Sequence, residues 1–94
     1  MRNLNRIIYR SHALQRMFER GITALEVRHV LLDGEIIKDY PDDQPYPSQL
    51  LLGWCQKRPV HIVAAYNEPD KETIIITAYE PDPKVWESGF RRKR

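Results

Sequence analysis

The hydrophobic pattern changes period part-way along the chain. In the first third, apolar residues recur every three or four positions; after Gly34 they come in short β-branched and aromatic runs. Between Ser11 and Arg20, Ala13, Leu14, Met17 and Phe18 fill one arc of a helical wheel, and His12, Arg16 and Arg20 form a ridge beside it. Ser11 is a suitable N-cap for this helix. Gly21 stands where a left-handed residue closes a helix, followed by Ile22 as the apolar residue that folds back onto it. Thr23-Ala24-Leu25-Glu26 reads as a capping box, with Ile22 and Val27 placed for a hydrophobic staple. A second helix is therefore predicted from Thr23 to about Leu32, ending at Asp33-Gly34.

The remainder predicts strands. "EIIKDY" is short, and "PDDQPYP" after it is a loop, because its prolines forbid a central strand. "QLLLGWCQK" alternates Leu50, Leu52 and Trp54 with Leu51, Gly53 and Cys55, and Arg58-Pro59 is expected to turn the chain. "VHIVAAYN" and "TIIITAYE" follow, with a Pro-Asp loop between them. Short connections demand an antiparallel meander. The expected fold is α+β: two N-terminal helices packed on one face of a four-stranded antiparallel sheet. A turn about Asp70 sets His61 opposite Tyr79 and Val63 opposite Thr77; a turn about Arg58 sets Cys55 opposite His61. Cys55, His61 and Tyr79 would then share a row, and Leu52, Trp54, Ile62, Ala64, Ile74 and Ile76 would form the face under the helices.

Ninety-four residues make one domain, residues 1–94, with a core over about 10–87 and a basic tail, 88–94, expected to fray. No apolar run approaches the roughly 20 residues of a membrane span, and "MRNLNRIIYR" is too polar for a leader. Cys55 is the sole cysteine, which excludes an internal disulfide and a cysteine-rich metal site and fits a reducing cytoplasm. Charge is segregated. Residues 1–32 carry six arginines against Glu19 and Glu26, residues 33–47 carry five acids against Lys38, and residues 81–94 carry five cations against Asp82 and Glu87. Basic ends suggest a polyanion as partner.

His12 and Arg16 are one helical turn apart and can address one phosphate or one carboxylate. The plainer reading is a solvated face, with Arg16 paired to Glu19 or to the acidic loop. His61 stands in an apolar strand, where a hydrogen-bonded core histidine is the common finding; Arg58 and Tyr79 nearby favour chemistry. His, Arg and Tyr together are what RNA cleavage without a metal needs: a base for the 2′-hydroxyl, an acid for the leaving oxygen, and a cation for the phosphate. Cys55 fits a small buried strand residue better than a nucleophile or a zinc ligand, since ligand spacing is wrong and no orienting group is placed beside it. Arg20, Arg91, Arg92, Lys93 and Arg94 are the candidate backbone contacts to nucleic acid, and Trp86 is expected to pack.

"SHALQRMFERGI", "LLDGEII", "PDDQPYPSQLLLG", "RPVHIV" and "IITAYEPDPKVW" together resemble a small bacterial family, domain of unknown function 4258, over about residues 10–87. The resemblance implies a fold akin to the RelE, MqsR and BrnT ribonuclease toxins and a neighbouring antitoxin, in some cases a zinc-finger protein of the MqsA type. It places the family's helix histidine and arginine at His12 and Arg16, its Arg-Pro-x-His strand start at Arg58, Pro59 and His61, and its Thr-x-Tyr at Thr77 and Tyr79.

These readings lead to a cytoplasmic, metal-independent endoribonuclease without cofactor, the toxin of a bacterial toxin–antitoxin pair, with RNA and an antitoxin as partners. His12 or His61 would serve as base or acid, Arg16 and Arg58 as phosphate clamps, and Tyr79 as orienter or second acid. Two rivals are a non-catalytic module that binds nucleic acid or a protein segment, and a structural protein that forms a homodimer through its sheet.

Overall fold

Three residues ahead of the first helix add a strand that the hydrophobic pattern did not announce. In the computed structural model, which describes Leu4 and residues 6–94, β1 spans Ile7–Tyr9. It is followed by α1 (Ser11–Arg20), α2 (Ala24–Asp33), β2 (Glu35–Tyr40), β3 (Ser48–Cys55), β4 (Arg58–Asn67) and β5 (Glu72–Tyr79). The sheet order is β1-β5-β4-β3-β2. Strands β2 to β5 form the antiparallel meander, but β1 joins the far edge parallel to β5, pairing Ile7 with Thr73 and Tyr9 with Ile75. The expected four-stranded antiparallel sheet is thus corrected to a five-stranded mixed sheet, still α+β in class. A three-residue strand is too short to show a period, and its partner lies near the opposite end of the chain.

Both helices cover one face, α1 over β5 and α2 over β3. The Thr23 capping box forms, with Thr23 Oγ1 accepting the Glu26 amide at 3.1 Å and the Thr23 amide donating to Glu26 Oε1 at 2.9 Å. Such a cap contributes about 1 kcal/mol. Gly21 takes φ 64°, and the Ile22 amide reaches back to the Met17 carbonyl at 2.9 Å. The N-cap of α1 is Arg10 rather than Ser11, and its side chain makes no capping bond. Val30 lies over Gly53 so closely that a Cβ there would sit 2.6 Å from Val30 Cγ2. The glycine therefore sets how near α2 approaches the sheet. None of the described helices is long and apolar enough to cross a membrane.

The face under the helices is as expected on β4, where Ile62 and Ala64 lie in the core, but not on β3 or β5. Ala13, Met17, Val27, Val30 and Leu31 pack on Leu51, Cys55, Val60, Ile62, Ala64, Ile75 and Ala78. Leu52 and Trp54 lie on the opposite face. The cause is the β3–β4 hairpin. It turns on Gln56 and Lys57, both left-handed at φ 52° and 71°, rather than on Arg58, so Cys55 pairs with Arg58 and Leu52 pairs with His61. That shift breaks the expected row of Cys55 with His61. The β4–β5 register is as expected for His61 with Tyr79 and Val63 with Thr77. An extra residue, Ile76, then bulges out of β5, so Ile75 and Ala78 both face the helices although they are three apart. In α1, Ala13 and Met17 are buried but Leu14 and Phe18 are not; Phe18 is 90% exposed.

The basic tail does not fray. Residues 81–94 fold back over the second face of the sheet, where Trp86 pairs with Lys93, the Glu87 amide donates to the Arg92 carbonyl at 2.8 Å, and the Arg94 amide to the Val85 carbonyl at 2.8 Å. Trp86 is buried with its ring edge-on to His61 at 4.5 Å, and Phe90 meets Trp54 edge-on at 5.9 Å. Packing, the role expected of Trp86, is the role it has.

Candidate functional site: a basic groove

Because β1 stops opposite Ile75, the outer edge of β5 from Ile76 to Tyr79 has no strand beside it among the described residues. The ridge of α1 overhangs this free edge on one side, and the chain leaving β5 overhangs it on the other. Between them lies a groove of about 500 Å³ lined by His12, Arg16, Arg20, Thr77, Tyr79, Glu80, Asp82, Val85, Trp86 and Lys93. The three ridge residues share a wall because four-residue spacing stacks them along the helix.

Cations prevail in this groove. Among the described residues, Arg16, Arg20 and Lys93 form no ion pair with a carboxylate, so the expected pairing of Arg16 with Glu19 or the acidic loop is not found. Of the two acids in the lining, Glu80 lies 3.8 Å from Arg58, and Asp82 Oδ1 accepts the Lys84 amide at 2.8 Å. Lys93 Nζ sits 5.8 Å from the centre of the Trp86 ring. An imidazole and three unneutralised cations converge on a strand edge that carries two hydroxyls.

Tyr79 joins this groove to the interior. His61 is fully buried beneath it. Its Nε2 is 2.9 Å from the Phe90 carbonyl, which can only accept, so Nε2 carries the proton and Nδ1 is the acceptor. The Tyr79 hydroxyl therefore donates to Nδ1 at 3.2 Å, leaving its oxygen lone pairs free for other donors. Burial lowers the pKa of His61, partly offset by the Phe90 carbonyl, and keeps the ring neutral. Burial raises that of Tyr79, and the neighbouring Tyr40 phenol adds to the effect.

Two of the five candidate catalytic residues thus do not reach the groove. His61 sits behind Tyr79 and Trp86, hydrogen-bonded to the groove through the Tyr79 hydroxyl. Arg58 emerges on the helix-covered face and is consumed there. Its Nη2 holds both oxygens of Glu26 at 2.9 and 3.0 Å and the Gly21 carbonyl at 3.2 Å, while Nη1 holds the Arg20 carbonyl at 3.2 Å. It ties the end of α1 to the start of α2. His12, Arg16 and Tyr79 do come together, joined by Arg20 and by Lys93 from the tail. Arg91 is paired with Glu35 at 2.8 Å, Arg94 Nε donates to the Pro83 carbonyl at 2.8 Å, and Arg92 is exposed on the second face. Cys55 is buried, and burial with Glu26 nearby raises its pKa against the opposing pull of Arg58, as suits a packing residue. Among the described residues no group of three His, Cys, Asp or Glu side chains is placed to hold a metal ion.

Sequence reasoning undervalued Thr77 and did not attach Lys93 to the ridge. The Thr-x-Tyr spacing on one strand face was the only signal for the first. Nothing local signals that the tail returns to α1.

No curated protein and no solved structure matches the chain. A family model does match, over residues 9–80, a span that includes the ridge of α1 and Thr77, Tyr79 and Glu80 of the groove but ends before Lys93. The chain belongs to the family described as domain of unknown function DUF4258.

Proposed function

We propose that the groove holds the sugar–phosphate backbone of RNA and cleaves it by transesterification. The observation that carries this reading is the convergence of the His12-Arg16-Arg20 ridge with Thr77, Tyr79 and Lys93 on one free strand edge. Arg16, Arg20 and Lys93 neutralise the phosphate and the charge that builds on it in the transition state. The Tyr79 oxygen accepts the hydrogen bond of the ribose 2′-hydroxyl. As the 2′-oxygen attacks phosphorus, its proton passes to Tyr79 while the proton of Tyr79 passes to His61 Nδ1. Protonated His12 supplies a proton to the 5′-oxygen as the P–O5′ bond breaks. The products are a 2′,3′-cyclic phosphate and a 5′-hydroxyl; solvent returns a proton to His12, and the proton on His61 Nδ1 leaves through the Tyr79 hydroxyl. Low proton affinity makes His61 a transient carrier rather than a resting cation.

The same reading makes the chain a RelE-like toxin of a bacterial toxin–antitoxin pair. Leu14 and Phe18 are exposed on the flank of α1 away from the basic ridge, an apolar pair that an antitoxin would cover. A second reading, RNA binding without cleavage, draws on the enclosure of His61, which leaves His12 as the only imidazole lining the groove among the described residues.

The test is cleavage of a labelled RNA by the purified chain in a chelating buffer, with end-group analysis. Wild type is expected to leave cyclic phosphate ends, and His12→Ala and Arg16→Ala to lose about 100-fold or more in rate. Expression should slow cell growth, with the neighbouring gene product relieving it. Steep salt-dependent binding with intact RNA would move the conclusion to the binding module. Wild type and variants that neither bind nor cut RNA would end both.

A further inference from the structure

The groove is not isolated. Over the second face of the sheet, between β2 and the returning tail, lies a second hollow of about 340 Å³. It shares Tyr79, Trp86 and Lys93 with the groove, so the two adjoin across those three residues. Its own contributions are Lys38 and Tyr40 from β2, Leu50 from β3 and Arg92 from the tail, and among the described residues no carboxylate lines it. Its size is that of a small-ligand site, at the low end of about 300–1,000 Å³.

The chemistry of this hollow differs from that of the groove. The groove offers cations along an edge; the hollow offers aromatic rings, an aliphatic floor at Leu50, and cations at its rim. Tyr40 is half-buried, with Lys38 Nζ 5.6 Å from its ring centre, while Lys38 and Arg92 are exposed. Arg91, which also lines it, is held by Glu35 and positions the tail rather than offering free charge. Aromatic faces beside free cations are what single-stranded nucleic acid requires: rings for unstacked bases and charge for the phosphates between them. A duplex, whose bases are already stacked, has none to offer such a pocket.

We propose that this second hollow is a nucleotide subsite, seating the base next to the phosphate held in the groove between the Tyr40 and Tyr79 rings, with Lys38 and Arg92 on the flanking phosphate. The subsite rests on the reading of the groove as an RNA site and specifies its substrate as single-stranded, at least two nucleotides long, and bound across the sheet from α1 towards β2.

The test is fluorescence anisotropy of the full-length chain with a 2′-O-methyl RNA pentanucleotide, which cannot be cleaved, and with an abasic phosphodiester pentamer. Tyr40→Leu is expected to weaken the pentanucleotide at least fivefold, as loss of one stacked base does, and to leave the abasic pentamer unchanged. Lys38→Ala/Arg92→Ala should weaken both and lower the salt slope by about 0.7, one single-strand phosphate contact. If Arg16→Ala weakens the pentanucleotide while the Lys38, Arg92 and Tyr40 variants bind like wild type, the subsite is overturned and the groove reading stands. If wild type binds neither probe, both fall. Thermal unfolding of each variant, expected within a few degrees of wild type, separates loss of contact from loss of fold.

Discussion

Arg58 separates a phosphate clamp from a structural tie, and its replacement by alanine tells which it is. In the structure its guanidinium donates to both oxygens of Glu26 and to the carbonyls of Arg20 and Gly21, so removal unties α1 from α2 and leaves Glu26 facing those carbonyls. A well-buried charged hydrogen bond contributes about 1.5–3 kcal/mol net, and an exposed ion pair about 0–1 kcal/mol. The Arg58 and Glu26 side chains retain 29% and 27% exposure, which places the set between those limits, at about 2 kcal/mol. In a domain of this size each kcal/mol moves Tm by roughly 4–8 °C, so Arg58→Ala should melt about 10 °C below wild type. Arg58→Lys keeps the charge but loses the fork, and should fall roughly midway. The assay pairs thermal unfolding at pH 7, followed by circular dichroism, with RNA binding at a temperature where every variant is folded. Binding should stay within about threefold of wild type, the scale of a rim charge. An unchanged Tm with RNA binding abolished would refute the reasoning and restore Arg58 to the site.

Gly53→Ala should destabilise by about 1–3 kcal/mol, because the new methyl group meets Val30 at 2.6 Å in a packed core, and the double variant Gly53→Ala/Val30→Ala should recover part of the urea midpoint. No recovery would mean that α2 can shift without cost. The pH dependence of stability carries the signature of His61. Its pKa lies below the ordinary 6.5 in the folded state, so as pH falls past 6.5 the unfolded chain binds a proton that the native chain does not. The contribution of His61 is fully present above that pH and is lost progressively down to its native pKa. His61→Gln should flatten this part of the curve relative to wild type. A parallel decline in the variant would show that His61 is not the group responsible.

Much of the fold could be read locally. The capping box at Thr23, the left-handed Gly21, the two helix spans and the pairing of His61 with Tyr79 all follow from residues within a few positions of one another or from a turn whose chemistry is plain. In that turn the Asn67 side chain bonds Asp70, and the run is Glu68-Pro69-Asp70. The ridge of His12, Arg16 and Arg20 was likewise set by helical spacing alone. What the sequence could not show was which face β3 and β5 present. Gln56-Lys57 carries no glycine or asparagine to mark a left-handed two-residue turn, and one residue of register exchanges the two faces of a strand. The bulge at Ile76 has no local mark either.

The sequence by itself therefore determined the two helices, the four strands of the meander and the chemical character of one helix edge, because hydrogen bonding and side-chain spacing within a turn are local. Only the tertiary structure decided which residues share that edge's groove. It put Arg58 into a structural tie, sealed His61 behind Tyr79, and brought Lys93 back from the end of the chain. Those outcomes depend on strand register, on a parallel edge strand that stops opposite Ile75, and on a tail folded over the sheet. Each is a contact between residues far apart in sequence, won by burial over the whole molecule rather than by any local preference.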